Sequence, residues 1–400
     1  MSTATEQESP QVTLEVEIER LLPGGVGLAH AEGQTILVPL TAPGDIVRVQ
    51  IDRLRGKVIF ASVLEVLEPS PVRVEPPCPY FGRCGGCDFQ QLNYETQLQA
   101  KVDIIRDCFH RIAGIADLPE IAIHPSPKQW QYRARANWQF DPQTRQLGYF
   151  EAGSHRVCDV EVCAVLVTDL QNTLGDLRAC IRNDSFPGAV KNVEVVAGDE
   201  GVSTAPAWAG FDTREVSRRS AEETYHCNAD AFFQVNHELL GPLAREATRD
   251  ARGAVAIDLY CGVGIFTVPL ARCFDRVVGV ESNPTAARFA QLNLQNAQLG
   301  GASIITARVS EWFNGQSTES KAVDFLLLDP PRAGAENSVI KGILAKRPRQ
   351  ISYVSCDPAT LARDLKKLVA AGYSLDSAVA FDMFPQTHHV ETVVRLRSET

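Results

Sequence analysis

Apolar and polar positions alternate along residues 12–68 in short runs, each broken by a turn. Val12–Glu17, Thr35–Pro39, Ile46–Ile51 and Lys57–Leu67 read as strands, with turns at Leu21-Leu-Pro-Gly-Gly25 and Ala42-Pro-Gly-Asp45. Brief strands at this spacing, with no helical period, predict a small β-barrel, a shape that often presents a nucleic-acid surface. A proline-rich linker, Pro69-Ser-Pro71 and Pro76-Pro77, closes the module. Residues 78–230 are less regular, with a helical period over Gln91–Ala113. From residue 254 the pattern becomes strand, turn, helix, repeated. Ala254–Leu259, Arg276–Val280, Ser303–Ala307, Val323–Leu328 and Ile351–Val354 are buried-strand runs, and Pro284–Leu299 and Ala359–Ala371 are helical between them. This alternation predicts a parallel sheet with helices on both faces and ligands at the carboxyl ends of its strands. Leu375–Phe381 reads as a sixth parallel strand, and Thr392–Leu396 as an antiparallel return beside it.

The chemistry collects on that rim. The first strand runs into Asp258-Leu-Tyr-Cys-Gly-Val-Gly264, where two glycines leave room for a ligand close to the backbone. Thr267 stands where a pyrophosphate-binding fingerprint would have its third glycine, and the second strand ends in Glu281, a carboxylate able to accept both hydroxyls of an adenosine ribose. A nucleoside without a pyrophosphate fits, and S-adenosylmethionine is the candidate. The fourth strand delivers Asp329 before Pro330-Pro331, the fifth delivers Cys356, and the connection to the last strand carries His388-His389-Val390-Glu391. C5 of a uracil is too poor a nucleophile for a methyl sulfonium until a thiolate adds to C6, after which a base must remove the C5 proton. Cys356 and Glu391 meet those two needs, while Asp329 and Gln234 could hold the ring edge. Taken one at a time, these residues have plainer roles: a strand-end cysteine packs as a small hydrophobe, and Asp329 before two prolines also suits methylation of an exocyclic amine.

Composition changes this picture in two places. Thirty-nine basic against forty-nine acidic side chains give a net charge of −10, which argues against a bulk electrostatic grip on nucleic acid and leaves local surface to do the work. One candidate is Lys128–Arg156, where Lys128, Arg133, Arg135, Arg145 and Arg156 interleave with Trp130, Tyr132, Trp138 and Tyr149. Eleven cysteines, in a chain with no apolar leader or membrane-length segment, point to metal ligation or chemistry inside the cell before disulfides. Cys78, Cys84 and Cys87 form the densest group, suited to an iron-sulfur cluster or zinc; Cys158 and Cys163 are the nearest candidates for a fourth ligand.

Together these motifs resemble the RNA uracil-C5 methyltransferase family, in the branch that carries an N-terminal TRAM barrel and an iron-sulfur cluster. The residues concerned are the Cys78, Cys84, Cys87 spacing with Asp159-Val-Glu-Val-Cys163, then Phe232-Phe-Gln-Val-Asn236, Asp258–Gly264, Leu328-Asp-Pro-Pro-Arg332, Ser355–Arg363 and His388–Glu391. The resemblance implies a TRAM-like RNA-binding barrel over 1–72, a central α+β iron-sulfur domain over 73–230 and a class I (Rossmann-like) methyltransferase domain over 231–400. It implies a [4Fe-4S] cluster on Cys78, Cys84, Cys87 and Cys163, nucleophile Cys356, proton acceptor Glu391, and S-adenosylmethionine contacts through Gln234, Tyr260, Glu281 and Asp329. The expected partner is RNA, 23S rRNA in preference to the tRNA T-loop, in the cytoplasm and away from membranes. Asp357 and Ile265 depart from the family pattern, where many ribosomal RNA members have Asn. A reading from another class is an iron-sulfur RNA-binding protein without methyltransferase activity.

Overall fold

In the computed structural model the described residues are 13–315 and 322–399; Val12, the expected start of the first strand, and the opening segment 1–8 lie outside them. The first module is a six-stranded sheet of Thr13–Glu17, Arg20–Leu22, Val26–Ala31, Gln34–Val38, Ile46–Arg55 and Val58–Glu68. Alternate positions turn Val16, Ile36, Val38, Val47, Val49 and Ile59 into one apolar core. The Glu19 N–H donates to the Leu28 carbonyl at 2.8 Å, so the sheet curls back on itself. The linker that follows is pinned: Arg73 pairs with the fully buried carboxylate of Asp45 at 2.6 Å.

The middle of the chain starts with helix Tyr94–Cys108, capped by Asn93, whose side chain accepts from the Thr96 N–H at 2.9 Å. A five-stranded antiparallel sheet follows, in the order Val157–Asp159, Gln146–Phe150, Arg135–Asp141, Asn192–Gly198, Gly201–Ala205, with helix Thr168–Arg182 against it. This sheet takes two of the four aromatics of Lys128–Arg156 away from any RNA-facing surface. Tyr132 and Trp138 are buried, and every cation of the set except Arg133 has an acidic neighbour: Lys128 with Glu238, Arg135 with Glu194, Arg145 with Asp184 and Arg156 with Glu151. Tyr132, Ala134, Ala136, Trp138 and Phe140 alternate with polar residues, the period-two signature of a strand whose aromatics face a core.

The largest sheet has eight strands: Ala302–Thr306, Phe274–Glu281, Gly253–Leu259, Phe325–Leu328, Gln350–Ser355, Glu391–Ser398, Tyr373–Phe381 and Ile121–His124. The five expected parallel strands are present and parallel. Two details differ from the sequence reading. The return strand Glu391–Ser398 lies between Gln350–Ser355 and Tyr373–Phe381, antiparallel to both, so the sixth parallel strand is displaced by one place. An eighth strand, Ile121–His124, comes from the middle of the chain and pairs in parallel with Tyr373–Phe381, covering what would otherwise be an open edge. Among the described residues no helix is long and apolar enough to cross a membrane.

Candidate active site and a cysteine-lined cavity

Strand ends decide where the reactive groups fall. Ser355 and Thr392 are the last paired residues at one end of the antiparallel ladder. The next residue along the first strand is Cys356, and the residue preceding Thr392 is Glu391. The register therefore sets thiol and carboxyl side by side at the rim. Phe325–Leu328 stops at Asp329, whose N–H donates to the Leu259 carbonyl at 3.3 Å, and Pro330-Pro331 carries the chain away. Asp357 caps helix Pro358–Ala370 by accepting from the Thr360 N–H at 2.7 Å, a task an Asn would also perform.

Around these groups lies a cavity of about 750 Å³, lined by Cys356, Glu391, Asp329, Gln234, Tyr260 and Glu281 among others. All six residues expected from the sequence at the catalytic and cofactor sites thus share one space. Glu281 is oriented by its neighbours: Oε2 accepts from Gly262 N–H at 2.9 Å, and Oε1 accepts from Asn283 N–H at 2.7 Å and the Ser282 hydroxyl at 3.3 Å, which leaves a lone pair on Oε2 for a further donor. Gly262 has φ 55° and open space where a Cβ would stand. Gly264, at φ 90°, would put a Cβ against Ala290 of helix Pro284–Asn296, so it serves helix packing more than ligand access.

The electrostatics are those of crowded anions in a dry place. Burial, then Glu391 and Asp329, push the Cys356 thiol up to about 12, and Arg332 pulls it down. Burial and Asp329 raise Glu391 well above the ordinary carboxylate range, against the same Arg332, and burial raises Asp329. Glu391 Oε1 is buried with no hydrogen-bond partner, aimed at nothing the chain itself provides. Arg332 is a member of the site that sequence reasoning quoted within a motif without giving it a task.

A second, smaller cavity is lined by Cys78, Cys84, Cys87 and Cys163 together with Tyr80, Gln90 and Tyr149. Cys158 is not in that lining; it is buried and its sulfur accepts from Arg83 Nε at 3.3 Å. The Gly86 N–H points at Cys84 Sγ at 3.4 Å, and burial pushes both Cys84 and Cys87 up to about 12. Among the described residues no three His, Cys, Asp or Glu side chains converge as ligands of a single ion would. Arg133 lines both cavities, and its Nε is buried without a partner.

A largely parallel sheet with a cavity at its carboxyl rim and an acidic residue ending the second strand is the layout of a class I methyltransferase. Residues 212–399 match the tRNA (Uracil-5-)-methyltransferase family, and residues 14–72 match the TRAM domain of tRNA (uracil(54)-C(5))-methyltransferase. A 23S rRNA (uracil(1939)-C(5))-methyltransferase, RlmD, of Pseudomonas putida is 32% identical, covering 96% of this chain and 94% of that relative. An uncharacterized RNA methyltransferase of Aquifex aeolicus is 30% identical over 96% of this chain and 98% of its own. Among solved structures, the Pyrococcus abyssi tRNA (uracil-54, C5)-methyltransferase, in complex with S-adenosyl-L-homocysteine, superposes with a TM-score of 0.74 at 25% identity, covering 96% of this chain and 100% of that one. The chain belongs to the RNA uracil-C5 methyltransferase family with a TRAM domain, and it is an S-adenosylmethionine-dependent RNA uracil-C5 methyltransferase.

Proposed function

We propose that Cys356 is the nucleophile and Glu391 the proton acceptor of this reaction, that Gln234, Tyr260, Glu281 and Asp329 hold S-adenosylmethionine, and that the target is a uridine of 23S rRNA. The observation that carries this is the shared cavity, with Cys356 and Glu391 as neighbours across one strand ladder. The Cys356 thiolate adds to C6 of the uracil, pushing electrons onto the C4 carbonyl oxygen; the resulting enolate makes C5 nucleophilic. When bound, S-adenosylmethionine supplies the methyl group that C5 takes, and its positive charge offsets the two carboxylates that hold the thiol up. Glu391 then takes the C5 proton, the C5–C6 double bond re-forms and the C6–S bond breaks to release the thiolate. A carboxyl raised by burial holds a proton more firmly than an ordinary one, which suits that last task.

We also assign Cys78, Cys84, Cys87 and Cys163 to a [4Fe-4S] cluster, with the domain divisions 1–72, 73–230 and 231–400 that go with it. The donor set fits: four thiols round one cavity, a backbone N–H directed at sulfur, and the Arg133 guanidinium in the wall. Ligands bound to different irons of a cluster are spread round it, unlike thiolates of one zinc, which sit about 2.3 Å from a common centre. Full-length likeness to 23S rRNA enzymes at 30–32% identity supports the ribosomal target.

Cys356→Ala should abolish methylation, and Glu391→Gln should trap a covalent protein-RNA adduct that survives a denaturing gel; turnover by the Cys356 variant would sink the mechanism. Mapping 5-methyluridine in rRNA and tRNA of cells with and without the protein decides the target, and loss confined to the tRNA T-loop would overturn the ribosomal assignment.

A further inference from the structure

The segment 382–390, which leads into Glu391, has no regular secondary structure, yet Asp382, Gln386 and Thr387 are buried. Its hold comes from the middle of the chain. Lys101, with a fully buried side chain, pairs with the equally buried Asp382 and donates to the Phe384 carbonyl at 3.1 Å. Tyr94 Oη donates to the same carboxylate at 2.8 Å. Gln97 and Gln386 exchange hydrogen bonds: Gln97 Nε2 donates to Gln386 Oε1 at 3.0 Å, and the Gln386 N–H donates to Gln97 Oε1 at 2.9 Å. Gln386 has φ 69°, a left-handed conformation that a side chain-bearing residue keeps only where its surroundings enforce it. Its carbonyl accepts from the backbone N–H groups of Asp88 and Phe89 at 3.1 and 3.0 Å. The Asp88 carboxylate in turn accepts from the His388 N–H at 2.7 Å and meets His388 Nδ1. Asp88 directly follows Cys87.

We infer that Asp88, Gln97 and Lys101 are positioning residues for proton abstraction: they clasp segment 382–390 in the single path that presents Glu391 to the cavity, and through Asp88 they tie that path to the Cys78–Cys87 turn. The inference rests on the proposed role of Glu391. Two things separate it from general stabilisation. The contacts converge on the residues just before Glu391, and Glu391 Oε1 is buried without a hydrogen-bond partner, so that oxygen has no contact of its own to fix its aim. Its aim is set by the backbone that carries it.

The clasp acts on one step, the transfer of the C5 proton to Glu391 that re-forms the C5–C6 double bond and expels Cys356. Loosening it should slow that step and leave thiol addition and methyl transfer ahead of it. The test uses the holoprotein, a uridine-containing target RNA tritiated at C5, and S-adenosylmethionine. Asp88→Ala and Gln97→Ala should each slow tritium release by about 10- to 100-fold, the size of a misplacement near 1 Å. Both should accumulate gel-stable covalent adduct, with KM for S-adenosylmethionine unchanged, and Asp88→Asn, which keeps an acceptor for the His388 N–H, should recover most of the rate. Gln97 lies on helix Tyr94–Cys108, outside the cysteine turn, so its variant reports even where Asp88→Ala disturbs that turn. Wild-type tritium release, or a fall in rate without adduct in both alanine variants, would overturn the inference. Glu391→Gln run alongside separates the two claims: if it fails to trap adduct, the base assignment falls; if it traps and the clasp variants do not, only the clasp falls.

Discussion

The two cavities are built by opposite means. The catalytic cavity is assembled by a sheet: its reactive groups lie far apart along the chain, on Gly253–Leu259, Phe274–Glu281, Phe325–Leu328, Gln350–Ser355 and the start of Glu391–Ser398, and hydrogen-bond ladders bring them together. The cysteine cavity is assembled by loops. Cys78, Cys84 and Cys87 sit in successive turns, and that segment is held to the five-stranded sheet by an isolated bridge between Cys84 and Glu151 and by the Gly85 N–H on the Phe150 carbonyl at 2.9 Å. A sheet can hold unsatisfied anions at fixed spacing without a ligand; a loop of this kind needs its ligand to complete it.

Three substitutions probe that contrast. The greatest effect belongs to the post between the two regions: Lys101→Met leaves Asp382 charged and buried, and should cost about 3–5 kcal/mol in urea unfolding. An unchanged midpoint would mean that the two regions are not mechanically joined there. Next, Cys84→Ser should remove the broad visible absorbance of anaerobically purified protein and open residues 78–90 to proteolysis, while S-adenosylmethionine binding by calorimetry stays as in wild type. Loss of that binding would dissolve the distinction between the cavities.

The smallest effect lies under the sheet-built site. Asp258 is fully buried; burial pushes its carboxyl up to about 8, the Thr267 hydroxyl pulls part of this back, and Asp329 and Glu281 add repulsion. Folded protein thus keeps a proton that the unfolded chain releases near 3.8. The associated stability is complete below that lower value and is lost as pH rises through about 8. Asp258→Asn should flatten the decline of Tm between about pH 5 and 8; an unaltered slope would show that another group carries it.

Much of the rim was legible because strand ends announce themselves. Pro330-Pro331 after Asp329, Pro358 after Cys356 and the glycines after Tyr260 punctuate the chain where chemistry sits. What escaped reading was long-range. Insertion of Glu391–Ser398 between two parallel strands has no local signature, nor does the addition of Ile121–His124 at the edge, since pairing partners are not encoded in a strand's own period. Nothing in the sequence near Lys101 points to its pairing with Asp382, 281 residues further along the chain. In Lys128–Arg156 the alternation of Tyr132, Ala134, Ala136 and Trp138 with polar residues marks an inward face, which the basic and aromatic composition of the stretch does not convey.

The ladder between Ser355 and Thr392 has one more effect. Because Cys356 and Glu391, the proposed nucleophile and base, hang from adjacent strands of a continuous sheet, the spacing of their backbones is set by hydrogen bonding and adapts little to an approaching substrate. The burden of adjustment therefore passes to the RNA. A uridine stacked among its neighbours cannot reach a rim this recessed, so it must leave the stack before thiol and C6 can meet, and a loop or bulge that has already unstacked the base gives up less to do so. Rigidity in the enzyme becomes selectivity for nucleic acid that is locally undone.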